Sequence, residues 1–399
     1  MSPSATAAAT ETTLDAASGI AFDLTEEQEL LRAEVRRFAE ERIRPGVEER
    51  DREHRFPSEL IAEMGELGLL GMMVAERYGG AGLDPLTYCL AVEEVARVCP
   101  STAVTMSVTN SVCCWPLERF GSEELKRAAL PELASGAALG GFGLTEPESG
   151  SDVASMRTAA RRDGDWWVLD GEKAWITNAG LARWYVVVAR SDPGAGKHGL
   201  SAFLVPADAP GFAVGEPEDK LGLRASRTAP IVFTGCRIPA ANLIGAEGEG
   251  MKIALATLDH SRLGIAAQSL GMHRRALELA VAYARERVQF GVPIARHQAV
   301  RFRIAEIALE LAAARALAWG AAAAAAAGDP RAGRLASEAK LYASEAANRA
   351  VAASLQLHGG NGFHADYEIS RLYRDVRVTT IYEGTSEMQR TVISRSLLR

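Results

Sequence analysis

The spacing of hydrophobic positions divides the chain into three stretches. Over 24–136 apolar residues recur at helical intervals. TEEQELLRAEVRRFAEERIRP opens with Thr25 as an N-cap and Gln28 three residues on, the glutamine form of a capping box. Leu30, Leu31, Val35 and Phe38 then form one apolar stripe, and Pro45 ends it. FPSELIAEMGELGLLG repeats the design with Ser58 as the cap, YGGAG (78–82) is a turn, and PLTYCLAVEEVARVCP reads as a helix closed by Pro100. The stretch 103–120 is apolar enough to be buried. Between 139 and 245 the period shortens. WWVLDGEKAWITNA predicts two strands meeting in a hairpin at Asp170-Gly171, and WYVVVAR, GLSAFLVP and APIVFTGCRIP are further β-rich runs. From 250 the helical period returns over 250–286, 297–327, 331–358 and 366–396, with loops at RVQFGVPI and LHGGNGF.

This pattern predicts a flexible tail at 1–20, an N-terminal helical domain at 21–138, a β domain at 139–246 and a helical bundle at 247–399. A chain of 399 residues fills cores of that number. No repeat of fixed period is visible.

Composition narrows the function more by exclusion than by indication. With 48% hydrophobic and 24% charged residues and a formal net charge of -7, the chain reads as a soluble globular protein with no sign of nucleic-acid binding. The 5 cysteines form no CxxC pair and the 7 histidines no HExxH pattern, so neither a disulfide framework nor a metal site is expected. The Ala/Ser/Thr-rich start has no basic n-region followed by an apolar h-region, and the run 319–327 is too short to span a bilayer. A cytoplasmic protein is expected.

Three clusters carry candidate chemistry. GGFGLTEPESGSDVASMRT (140–158) is rich in glycine and hydroxyl residues and suits either a structural loop or a cradle of N–H groups for an anion. In GEKAWITN (171–178), Trp175 is either a core ring or a platform beside a flat cofactor. In TTIYEGTSEMQR (379–390), Glu383 follows Ile381 and Tyr382 and precedes a glycine at a new helix start. A carboxylate desolvated by such neighbours acquires the pKa of a working base, whereas a solvated one merely caps a helix. Spacing alone does not choose between these readings.

Seven ordered blocks do. LTEPESGSD (144–152), GEKAWITN (171–178), EDKLGLRAS (218–226), LDHSRLGIAAQSLG (258–271), RVQFGVPIARHQ (287–298), QLHGGNGF (356–363) and IYEGTSEMQR (381–390) together resemble the acyl-CoA dehydrogenase family over almost the whole chain, and within it the short-chain, butyryl-CoA branch. The resemblance implies an α+β multidomain fold: an N-terminal helical domain, a middle antiparallel β-barrel-like domain and a C-terminal four-helix bundle. It also implies a homotetramer built as a dimer of dimers.

The same resemblance implies FAD, and an acyl-CoA oxidised at its Cα–Cβ bond to the trans-2-enoyl-CoA. Glu383 matches the base that takes the α-proton, while the β-hydrogen leaves as hydride to flavin N5. A backbone N–H at Glu383 and a flavin hydroxyl hold the thioester oxygen. The alternative position of the base in the family is here Ser261, which cannot serve. Phe142, Leu144, Thr145, Ser151, Trp175, Thr177, Thr385 and Glu387 match flavin contacts. Arg287, Phe290, Gln298, Gln356, Gly359 and Gly360 match contacts to the dinucleotide end, the first three supplied by a neighbouring subunit. Ser151, Asp259, Arg262, Tyr382 and Gly384 match substrate contacts. Electron-transferring flavoprotein is the implied acceptor. An acyl-CoA oxidase or a flavin monooxygenase on the same fold is the alternative, and the presence of Glu383 speaks against the latter. His260 and Ser261 match positions where chain-length and branching preferences are read in the family, and His358 a position that varies within it.

Overall fold

The computed structural model describes residues 24–398. The proposed tail at 1–20 lies outside them.

Helix α1 (Glu26–Phe38) begins with the expected capping box: Gln28 N donates to Thr25 Oγ1 at 3.2 Å and Thr25 N to Gln28 Oε1 at 3.1 Å. Its buried face differs from the apolar stripe. Leu30 is 65% exposed, and Arg32 is buried beside Val35 and Phe38. The reason lies in α4 (Pro85–Val98), where the fully buried Glu94 accepts from Arg32 Nε, Arg36 Nη2 and Arg274 Nη1, each at 2.9 Å. Periodicity counts apolar residues and cannot see that a charged one has a partner waiting in the core. Between α1 and α4 lie α2 (Val47–Arg52) and α3 (Ser58–Glu66); Ser58 is the first helical residue of α3 and makes no cap bond. Next come α5 (Pro100–Val108), a π-helical stretch (Thr109–Cys114), α6 (Trp115–Phe120) and α7 (Glu123–Ala134). The apolar stretch at 103–120 is buried for most of its length, as expected.

The middle region contains β1 (Leu139–Gly143), β2 (Ala159–Asp163), β3 (Trp166–Thr177), β4 (Ala182–Arg190), β5 (Leu200–Pro206), β6 (Phe212–Val214), β7 (Thr228–Pro239) and β8 (Leu243–Ile244). They form one sheet in the order β6-β7-β3-β2-β4-β5-β8, with β1 on β4. This corrects the expected antiparallel, barrel-like domain in two ways. The sheet is open, because its edge strands β6 and β8 are three and two residues long and each pairs with a single neighbour. It is also mixed, since β1 and β2 both pair with β4 in parallel. The expected hairpin at Asp170-Gly171 is a bulge inside one continuous strand: Asp170 Oδ1 accepts from Gly235 N of β7 at 2.6 Å, and the register shifts between Leu169 and Gly171. A DG pair signals a left-handed residue, which a bulge uses as readily as a turn.

The last region holds α8 (Gly250–Glu286), a small ribbon of β9 (Val288–Gln289) and β10 (Val292–Pro293), α9 (Gln298–Ala326), α10 (Ala332–His358), α11 (Glu368–Val376) and α12 (Ser386–Leu397). The helix expected over 366–396 is two, broken where Glu383 and Gly384 adopt φ of 55° and 88°. α8 is the spine, packing on α10, α9 and α4. By length and composition α9 is long and apolar enough to cross a membrane, a property of the whole helix and not of 319–327 alone. In the fold Ile307, Leu311, Ala314 and Ala318 sit in the core, and Arg315 pairs with the buried Glu93.

Candidate active site

A buried ion pair fastens the segment that follows β1 to strand β3. Lys173 of β3 is fully buried, and its Nζ donates to Glu146 Oε1 at 2.7 Å and to Leu144 O at 3.1 Å. Glu146 also accepts from the backbone N–H groups of Arg157 at 2.6 Å and Thr158 at 2.9 Å. Burial alone would raise the Glu146 carboxyl, but Lys173 and these N–H groups hold it below its ordinary range; burial brings Lys173 down to about 8. Ala174 N closes the seam on Thr145 O at 2.8 Å. Just beyond, Trp175 stands at φ 63° in a second irregularity of β3, and the residue is 59% exposed between buried neighbours. Leu144 is buried, Thr145 and Thr177 are half-buried and Ser151 is exposed. The hydroxyls of these last three have no partner among the described residues. An outward-turned ring beside unengaged hydroxyls suits a flat, polar-edged cofactor such as FAD.

A second group gathers around the turn between α11 and α12. Phe142 of β1 and Tyr382 both pack on Val104, Val108, Val112 and Leu223, which puts the sheet and this turn on one apolar floor. Tyr382 donates its hydroxyl to Gln268 of α8, whose amide is fixed in turn on Pro100 O at 3.0 Å. Ser261, also on α8, donates to Glu383 Oε2. The next residue, Arg262, reaches with Nη1 to Asp259 and, at 3.0 Å, to Ser337 Oγ of α10. Burial raises the Glu383 carboxyl above its ordinary value, although Ser261, Arg262 and Lys340 pull the other way. Burial likewise raises Asp259 and lowers Arg262. The backbone N–H of Glu383 has no partner among the described residues. Thr385 caps α12, accepting from Met388 N at 3.3 Å, and Glu387 is exposed on its first turn. His260 lies against Trp115, ring centroids 4.6 Å apart, and burial holds its imidazole down at about 3, so it is neutral.

A third group is elsewhere. Arg287, Gly359 and Gly360 line a cleft of about 370 Å³ with Tyr283, Gln289 and Ile294. Phe290, at φ 55°, is 94% exposed, and Gln298 and Gln356 are exposed nearby in sequence. Lys340, which touches the turn carrying Glu383, is separated from His358 in this cleft by about 27 Å of α10 at 1.5 Å per residue. The predicted residues therefore fall into one assembled cluster and one remote cluster.

Sequence reasoning missed Lys340, Gln389, Gln268 and the Lys173–Glu146 pair. Ser337, Lys340 and Ser344 are buried at helical spacing in α10, a polar stripe in an alanine-rich helix that was the available signal for Lys340. Five of the six non-glycine residues with positive φ among those described, Trp175, Asn178, Leu223, Phe290 and Glu383, lie inside the seven sequence blocks.

Three family profiles cover the chain: the acyl-CoA dehydrogenase N-terminal domain at 25–137, middle domain at 141–236 and C-terminal domain at 248–398. The chain is 47% identical over 377 residues to the human mitochondrial short-chain specific acyl-CoA dehydrogenase, covering 94% of this chain and 91% of that one. Butyryl-CoA dehydrogenase from Megasphaera elsdenii superposes with a TM-score of 0.93 at 41% identity, over 95% of this chain and 100% of that one. A glutaryl-CoA dehydrogenase from Mycobacterium smegmatis, solved in complex with FADH2, superposes with a TM-score of 0.88 at 37% identity, over 94% and 95%.

Proposed function

The chain belongs to the acyl-CoA dehydrogenase family, and from that premise we propose that it oxidises a short-chain acyl-CoA with Glu383 as the base. The class of reaction follows from membership: FAD-dependent α,β-dehydrogenation of an acyl-CoA. Bound FAD supplies the two-electron acceptor.

One observation carries the assignment of Glu383: its raised carboxyl and its own unpartnered backbone N–H lie at the same residue. An α-proton next to a thioester is a weak acid, so its removal needs both a base in place and a donor for the oxygen on which charge accumulates. Glu383 offers the two a few ångströms apart. Desolvation brings the carboxyl toward the operating pH, where a general base is most effective. Ser261 orients one carboxylate oxygen by donating to it, and Tyr382, tied to Gln268, closes the floor beneath. Arg262 and Asp259, linked to each other, offer polar groups for the thioester's arm. Trp175, Thr145, Thr177, Ser151, Thr385 and Glu387 would hold the flavin.

The short-chain preference rests on likeness to the human short-chain enzyme and the M. elsdenii butyryl-CoA dehydrogenase. The 27 Å offset of the Arg287 cleft supports an assembly in which a neighbouring copy brings Arg287, Phe290 and Gln298 to the dinucleotide, with Gln356, Gly359 and Gly360, in a homotetramer. Electron-transferring flavoprotein is the proposed acceptor, 21–138, 139–246 and 247–399 are the proposed domains, and five buried free thiols suit a reducing cytoplasm.

The test is flavin bleaching by butyryl-CoA under argon. Glu383→Gln should keep its FAD and slow reduction by roughly 10² to 10⁴. A Gln variant that bleaches at the wild-type rate removes Glu383 from the mechanism. Repeating the wild-type assay in air separates a dehydrogenase from an oxidase.

A further inference from the structure

We propose that Lys340 and Gln389 are positioning residues that clamp the carbonyl groups of Glu383 and Gly384, fixing the backbone from which the base projects. The inference rests on the reading of Glu383 as that base.

Glu383 and Gly384 are consecutive residues at φ 55° and 88°, a left-handed pair that glutamate adopts only when its surroundings impose it. Two side chains impose it. Lys340 Nζ, from α10, donates to Gly384 O at 2.7 Å. Gln389 Nε2, from α12, donates to Gly384 O at 2.8 Å and to Glu383 O at 3.1 Å. Both side chains are fully buried. The grip is close: a Cβ on Gly384 would lie 2.8 Å from Gln389 Nε2.

A buried ammonium is costly to maintain, and a methionine at 340 would pack the same space without it. Lys340 is therefore explained by what it holds. Burial brings it down to about 8, against the pull of the Glu383, Glu387 and Glu345 carboxylates and with the push of Arg262. At neutral pH it is a cation next to the base, so it fixes the carboxylate's backbone and favours its ionised form. Gln389 contributes the first effect without the second. Its Oε1 already lacks a partner, so replacing the amide removes only the two donated bonds.

That difference separates geometry from charge. FAD-loaded Lys340→Met and Gln389→Met are compared with wild type and Glu383→Gln in anaerobic flavin reduction by butyryl-CoA between pH 5.5 and 9. A displacement of about 1 Å at a reacting group lowers a rate by up to about 100-fold. Both Met variants should lose about 10- to 100-fold in the limiting rate, with KM little changed. Only Lys340→Met should move the low-pH limb to higher pH, since only it removes a positive charge. Amide hydrogen exchange over 381–389 should quicken in both. If Lys340→Met does not retain FAD, Lys340→Gln takes its place. Wild-type rates, pH limb and exchange in the Lys340 and Gln389 variants, with Glu383→Gln inactive, would overturn the clamp and leave the base standing. A fully active Glu383→Gln would instead overturn the base.

Discussion

Replacing Lys173 by methionine should loosen the whole sheet-side half of the site. Lys173 Nζ donates to Glu146 Oε1, to Leu144 O and, weakly, to Met156 Sδ at 3.7 Å, and its side chain is fully buried. Methionine fills the volume but leaves Glu146 buried with only the N–H groups of Arg157 and Thr158. Removing one partner of a buried pair costs about 3–5 kcal/mol. The two surviving N–H bonds place this case near the lower bound, and the lost bond to Leu144 O adds about 1 kcal/mol. A net loss of about 3–4 kcal/mol is expected. Replacing both partners, as in Glu146→Gln/Lys173→Met, removes the stranded charge. The double variant should therefore be more stable than the sum of the single changes predicts, by at least about 1 kcal/mol. The assay is urea unfolding at pH 7, followed by ellipticity at fixed protein and FAD concentrations, because bound cofactor adds stability by mass action. A loss under about 1 kcal/mol for Lys173→Met, or strict additivity, would refute the reasoning. FAD affinity should fall in parallel, since the pair fastens Leu144 and Thr145 to the strand bearing Trp175.

Other outcomes follow from the remaining clusters. Arg287→Ala should weaken FAD retention by about 10- to 100-fold, the equivalent of one charge-assisted phosphate contact, with ellipticity unchanged; the flavin-to-protein ratio after gel filtration reads it. kcat/KM should be higher for C4 than for C12 acyl-CoA and graded between them, each methylene being worth about 0.8 kcal/mol; a substrate panel decides. Glu383 has a raised folded-state pKa, so its contribution to stability is present at low pH and is lost as pH rises through that value. The melting temperature of Glu383→Gln should accordingly gain on wild type between pH 5 and pH 8, and a constant difference would argue against the raised pKa.

Much of this was legible in the chain. The capping box at Thr25 and Gln28, the limits of α8 and the start of a helix after Glu383 all come from local signals that local structure obeys. What stayed hidden depends on partners distant in sequence. Arg32 faces inward because Glu94, 62 residues away, receives it. Asp170-Gly171 bulges and does not turn because Gly235 of β7 bonds to Asp170. The sheet stays open because its last strands are too short to meet, a matter of edge geometry that alternation does not encode. The candidate site divided the same way. Glu383 and Trp175 were found through motif resemblance, whereas Lys340, Gln389 and Lys173 act through carbonyls and carboxylates that only the folded chain brings near.

The left-handed backbone at Trp175, Leu223, Phe290 and Glu383 has an evolutionary consequence. Each such residue carries conformational strain of about 1–3 kcal/mol, which glycine would largely relieve. These positions are thus where robustness and catalysis compete. A library of this gene selected only for heat tolerance should enrich glycine or asparagine there, and the survivors should be sturdy proteins with impaired turnover. Lineages that keep the enzyme working would have to find their thermal margin elsewhere, in the helices distant from these bends.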